Sequence, residues 1–307
     1  MRRPTSIELM LLSTILLWAL NLTVSRYILT HGFQPLSYAA ARYGLAALVF
    51  VGLVLATERT LRVLRADAPL VLLAAGLVWL NQMTFVYALD TGNASTLGLL
   101  LGAIPIFAAL LGLALGTERV SRRFWGGALL SFVGVALVAA GAGARLSGGL
   151  GAIALGLATS ATWAGYSVAI TPLMRRYSPY RISALVLSLA FVPITLAGIP
   201  QIASQDWALG WEVWTLFLFA TLGPLVVTNV LWFRSLHRIG PARATLAVNL
   251  QPFVAAVFAV VLLSETMTWL QVLGGVLIGL GIVLARRRRS PPPAAAGAPA
   301  STTGPPG

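Results

Sequence analysis

Two stretches decide how this chain folds: Pro105-Ile-Phe-Ala-Ala-Leu-Leu-Gly-Leu-Ala-Leu-Gly-Thr-Glu118 and Pro252-Phe-Val-Ala-Ala-Val-Phe-Ala-Val-Val-Leu-Leu-Ser-Glu265. They lie 147 residues apart and share five of 14 positions, among them the proline and the glutamate thirteen residues after it. The same register pairs Gly127 with Gly274, Leu130 with Leu277 and Gly134 with Gly281. Near the start of each half, Trp18-Ala19 meets Trp163-Ala164 at an offset of 145. Apolar chains match by chance, but one register that carries Pro, Glu and Gly together points to an internal repeat.

What surrounds these stretches is almost devoid of charge. Of 307 residues, 58% are apolar and 9% charged, against about 45–50% and about 25% in an average globular protein. A water-soluble chain of this length needs far more charge to cover its surface, so most of the surface faces lipid. A run of about 20 apolar residues spans the hydrocarbon core as a helix. Ten such runs are readable, at about 7–29, 35–56, 69–89, 94–116, 124–143, 150–172, 182–203, 212–234, 242–263 and 268–285. The expected fold is therefore an all-α membrane protein of ten transmembrane helices. The first run continues too far, without a small-x-small cleavage site, to be a signal peptide. The expected divisions are a cytoplasmic N-terminus (1–6), a first repeat (7–143), a second repeat (150–285) and a Pro/Gly-rich disordered cytoplasmic tail (286–307).

The net charge of +13 arises from 21 arginines against 8 acidic residues. On a soluble chain it would suggest nucleic acid; here the arginines sit in short clusters between apolar runs and mark loops. With the N-terminus inside, 16 of the 21 fall on the cytoplasmic side, including Arg59, Arg62, Arg65, Arg175, Arg176, Arg181 and Arg286 to Arg289. This positive-inside bias places both termini in the cytoplasm. A repeat unit of five helices is odd, so the second copy enters the membrane upside down. Consistent with this, Glu118 is followed by Arg119, Arg122 and Arg123, whereas the loop around Glu265 carries no arginine. Two inverted five-helix repeats are a common design of secondary transporters.

In these features the chain resembles a ten-helix member of the drug/metabolite transporter superfamily with two EamA-type domains. The resemblance rests on Trp18-Ala-Leu-Asn21 with Arg26, Pro105 through Thr117-Glu118-Arg119, Trp163-Ala-Gly-Tyr166, and Pro252 through Ser264-Glu265, and it covers residues 7–285. Arg26 stands where a lysine is common, and Leu20 where glycine is more usual. The resemblance implies a multi-pass permease of the cell (inner) membrane, often an exporter of amino acids or other small metabolites, working by alternating access.

Polar groups near the bilayer midplane are costly unless paired or lining a wet cavity, so they are the site candidates. Trp18, Asn21 and Ser25 form one helical stripe at i, i+3 and i+7. Thr159, Trp163 and Tyr166 are its counterpart in the second half. Trp79, Asn81 and Gln82, then Thr228, Asn229 and Trp232, and finally Asn249 and Gln251 beside Pro252, complete the set. Indole and phenol walls with several amides would hold a small amphipathic or zwitterionic solute. The same amides could instead bond neighbouring helices, and the tryptophans could mark interfaces. Pro105 and Pro252 each remove a backbone hydrogen bond and are candidate hinges or fixed kinks. Arg26 and Arg42 either snorkel outward or turn inward to attract a carboxylate or phosphate. Glu118 and Glu265 lie at helix ends and read as structural, and the Gly98/Gly102, Gly112/Gly116 and Gly275/Gly279 pairs read as close helix contacts.

Other classes fit less well. An intramembrane enzyme would need paired carboxylates, an activated serine or clustered histidines at membrane depth, and none is visible. The absence of cysteine, with only His31 and His237, leaves no expected metal site. There is no P-loop pattern for ATP-driven pumping. A lipid flippase or membrane scaffold stays as the alternative. No cofactor is expected; the expected partners are a small-molecule solute and the bilayer, with a homodimer left open.

Overall fold

The structure, a computed structural model, describes residues 6–91, 94–117, 120–141, 149–254, 257–258 and 267–285. Every regular element among them is helical: α1 (Ser6–Thr30), α2 (Pro35–Thr57), α3 (Ala68–Thr91), α4 (Ala94–Leu101), α5 (Ile104–Ala114), α6 (Arg122–Gly141), α7 (Gly149–Leu173), α8 (Pro179–Ser204), α9 (Trp211–Thr221), α10 (Thr228–Ile239), α11 (Pro241–Val248) and α12 (Trp269–Ala285). A π-helical stretch, Leu222–Val227, joins α9 to α10. Proline supplies the first turn of α2, α5, α8 and α11, where its missing N–H costs nothing and its fixed φ favours the helix.

Seven described helical units are long and apolar enough to cross a membrane, with shorter apolar helices at Leu99–Ala114 and Trp269–Ala285. Their outer surface is that of a membrane protein: Leu48, Leu150 and Leu196 are 71%, 86% and 62% exposed, while alanine, serine and threonine fill much of the interior. Of the three runs that fall short, the one at 268–285 is the 17-residue α12, and the other two have a local cause. The run at 94–116 breaks at Gly102-Ala103, and the run at 242–263 breaks at Asn249-Leu250 before turning helical again over 251–254. The two breaks occupy the same register of the repeat, each immediately ahead of its proline, Pro105 or Pro252. Glu118, Glu265 and the tail at 286–307 lie outside the described residues, as does the Arg26 side chain.

The tightest helix contact is between α6 and α12, which run antiparallel. Gly134 faces Gly274 and Gly127 faces Gly281. A Cβ on Gly134 would lie 2.6 Å from the Gly274 carbonyl oxygen, and one on Gly274 2.5 Å from that of Gly134. These are the glycines that the repeat register aligns, cross-paired so that each contact has its mirror. By contrast, a Cβ on Gly116 or Gly279 would meet open space. The close approach therefore uses the seven-residue spacing of the aligned glycines rather than those GxxxG partners.

The two ends of the helices are fastened differently. At the end rich in arginine, Glu58 accepts from Arg181 Nε at 2.9 Å and from Ser178 Oγ, which also caps α8 by accepting from the Arg181 amide. Next to it Asp67 accepts from Arg176 Nη1 and the Tyr177 hydroxyl, both at 2.7 Å. At the other end neutral amides serve: Gln205 Oε1 accepts from the Gln34 amide and Gln201 Oε1 from the Leu36 amide, each at 2.7 Å. These glutamines of the α8 end satisfy backbone donors that the start of α2 leaves without intrahelical partners. Phe33 is buried there among Tyr38, Trp207, Trp214 and Phe217.

Candidate functional site

Where the broken and bent helices meet, they border a cavity of ≈ 140 Å³. Proline explains the location. Lacking an N–H, each proline gives no hydrogen bond to the carbonyl four residues before it. For Pro105 and Pro252 those carbonyls belong to Leu101 and Val248, repeat-related residues that both line the cavity. For Pro224, itself a lining residue in the π-helical stretch, the carbonyl is that of Ala220, and Arg42 Nη2 donates to it instead at 3.1 Å. π-Helical turns of this kind recur at functional sites.

Eight of the candidate residues line this cavity: Trp18 and Asn21 from α1, Arg42 from α2, Asn81 and Gln82 from α3, Trp163 from α7, Asn229 from α10, and Gln251. Thr159 and Thr228 join them. Trp18 Nε1 donates to the Pro224 carbonyl and to Thr228 Oγ1, both at 2.9 Å, so α1 is tied to the bend. Gln251 Nε2 donates to the Trp18 carbonyl at 3.2 Å, and Asn81 Nδ2 to the Thr159 carbonyl at 2.9 Å. The Trp18 ring meets Trp163 edge-on with centroids 5.4 Å apart, and Trp232 lies 5.2 Å from Trp18. Trp18 and Trp163 are themselves repeat-related, as are Gly102 and Asn249, whose side chain donates to the Gly102 carbonyl.

Arg42 is turned inward. It is 8% exposed, its guanidinium carbon lies 5.2 Å from the Tyr38 ring centre, and its Nε has no hydrogen-bond partner. Asn229 Nδ2, on α10 and lining the same cavity, is likewise buried and unpartnered. The ion pairs between described residues, Arg176 with Asp67 and Arg181 with Glu58, are at one end of the molecule and do not involve Arg42.

Four further candidates lie elsewhere. Ser25 continues the Trp18/Asn21 stripe but bonds the Tyr38 hydroxyl at 2.9 Å. Asn249 bonds the Gly102 carbonyl and Ser131 Oγ, joining the two helix breaks to α6. Tyr166 packs behind Trp163, 1% exposed, against Phe233. Trp79 is on the outer face of α3, 36% exposed. Conversely Tyr43, Phe85 and Pro224 line the cavity without having been singled out. Pro224 carried a readable signal, a Gly-Pro pair inside an apolar run; Tyr43 and Phe85 carried none beyond adjacency to Arg42 and spacing from Asn81 and Gln82.

Known proteins share this architecture. A solved crystal structure superimposes with a TM-score of 0.78 over 92% of this chain and 97% of its own, at 20% identity, a likeness of fold. The chain is similar to the "Uncharacterized transporter YyaM" of Bacillus subtilis (strain 168), 26% identical and covering 91% of this chain and 93% of the relative. It is also similar to a "Probable amino-acid metabolite efflux pump" of Salmonella typhimurium, 27% identical over 89% of this chain and 92% of the relative. The family described as "EamA-like transporter family" matches twice, over residues 5–140 and 150–287. Matched over both halves, the chain belongs to the EamA-like transporter family.

Proposed function

We propose that this membrane transporter moves a small organic metabolite through the central cavity by alternating access. In this reading the chain crosses the inner membrane ten times with both termini cytoplasmic, as the arginine bias suggests, and the halves at 7–143 and 150–285 are inverted repeats. The observation that carries it is the pair of helix breaks. Gly102-Ala103 and Asn249-Leu250 occupy equivalent positions, touch through Asn249, and border the cavity at Leu101 and Val248. The cross-paired glycines of α6 and α12 support the same two-fold relation, because exchanging the two halves turns the Gly127–Gly281 contact into the Gly274–Gly134 contact. A site on this axis can be exposed to either side when the two halves exchange conformations. Export of an amino-acid-like solute is the direction suggested by the name of the Salmonella relative.

The test is uptake of labelled amino acids and related metabolites by proteoliposomes of the purified protein, with and without a proton gradient. Passage of at least one solute is expected. If none crosses and none binds, the reading fails.

One observation favours a second reading, a lipid flippase. A groove of ≈ 1090 Å³ opens along α3, α5 and α7, walled by Leu70, Leu73, Leu77, Phe107 and Leu111, with Arg175 and His237 among its lining. Movement of a fluorescent phospholipid between leaflets of the same vesicles would select that reading over metabolite transport.

A further inference from the structure

We infer that the transported solute is an anion whose carboxylate or other oxyanion group docks on Arg42, beside Asn229. The inference deepens the transport reading above and rests on it.

The cavity's free hydrogen-bonding capacity carries it. Arg42 Nε is buried and unpartnered, and a guanidinium has donors only. Its one hydrogen bond is to the Ala220 carbonyl, and its other neighbour is the Tyr38 ring. Neither neutralises the charge. Among the described acidic residues Glu58 and Asp67 are engaged with Arg181 and Arg176 outside the cavity, and no carboxylate lines it. Asn229 presents a second buried donor without a partner. An inward-facing cation in a membrane helix, with no counter-ion among the described residues, marks a place where an anion is received. The guanidinium's planar fork suits a carboxylate or phosphate, which accept two hydrogen bonds side by side. Trp18 and Trp163 flank the same space and would receive an apolar or aromatic remainder.

The experiment measures binding to the purified full-length protein in nanodiscs with solutes on one scaffold: 3-phenylpropionate, 3-phenylpropionamide, 3-phenylpropylamine and 2-phenylethylphosphonate. The carboxylate is expected to bind at least tenfold more tightly than the amide, the amine weakest, and Arg42→Gln to erase the difference. Arg42→Lys keeps part of it, because an ammonium is a point charge without the fork. A phosphonate that outcompetes the carboxylate supports the oxyanion site and identifies a phosphorylated solute. If the amide or the amine binds as well as the carboxylate, or the preference survives in folded Arg42→Gln, the inference is overturned. Should that variant not fold, the native protein's ranking decides alone. If uncharged metabolites cross the proteoliposomes and no oxyanion binds, the anion inference falls while transport stands. If nothing crosses or binds, both fall.

Discussion

Asn249 Nδ2 donates to the Gly102 carbonyl oxygen at 3.3 Å across a sequence separation of 147, the offset of the internal repeat. Each residue occupies the break of its own helix. Asn249 also donates to Ser131 Oγ at 3.1 Å on α6, so one amide holds both breaks and a third helix. Side-chain hydrogen bonds between membrane helices average about 0.6 kcal/mol and reach about 1.7. Asn249→Ala is therefore expected to cost about 1–2 kcal/mol, read as a lower melting temperature of the purified protein. An unchanged melting temperature would show that the breaks are held by packing alone.

The α6–α12 contact makes a prediction with an internal control. Gly134→Ala and Gly274→Ala place a methyl 2.6 and 2.5 Å from a carbonyl oxygen of the facing helix. Backbone cannot swing aside as a side-chain tip can, so the helices must separate; overpacking of this kind costs about 1–3 kcal/mol. The two variants should lose similar amounts, because they crowd one close contact from its two sides. Gly279→Ala, which meets open space, should be neutral. Thermal unfolding of the three variants checks both the loss and the parity.

Trp18, Asn21 and Tyr166 separate cavity chemistry from packing. Trp18→Phe keeps a ring but removes the donor that ties α1 to Pro224 and Thr228. It should lower transport several-fold with a stability loss of about 1 kcal/mol. Asn21→Ala lines the cavity and should reduce transport while leaving the yield of folded protein unchanged. Tyr166→Ala empties a buried position against Trp163 and Phe233, for a loss of about 3–5 kcal/mol by analogy with other buried aromatics. Its signature is loss of folded protein. Equal folded yield for Asn21→Ala and Tyr166→Ala would refute the distinction.

The two ion pairs at the arginine-rich end should respond unequally to removal. Arg181 and Glu58 are each 20% exposed and share two guanidinium nitrogens, whereas the Arg176 side chain is 58% exposed against Asp67. Exposed pairs contribute about 0–1 kcal/mol and are screened by salt. Glu58→Gln should therefore destabilise more than Asp67→Asn, and the Asp67 effect should shrink at 1 M salt. Melting temperatures of both variants at low and high salt measure the difference.

The sequence by itself determined the helical fold and the membrane surface, and it marked two prolines, Pro105 and Pro252, close to which helices break. Each of those is a local property: a run of apolar residues long enough to span lipid, or a proline without an N–H to give. The cross-pairing of Gly127 with Gly281 and of Gly134 with Gly274 was partly legible too, since the repeat register had already aligned those four positions. What only the tertiary structure decided is the rotation of each helix about its axis. Trp79 and Asn81 are two residues apart on α3, yet one faces outward and the other lines the cavity. A helix that is apolar all round gives its spacing no preferred face. The same rotation turned Arg42 inward to the cavity that Asn229 also lines, rather than out to the membrane surface, and put Tyr166 behind Trp163. Neighbouring helices fix these orientations through contacts far apart in sequence, such as Trp18 with Pro224 and Arg42 with Ala220. No window of sequence contains both partners of such a contact.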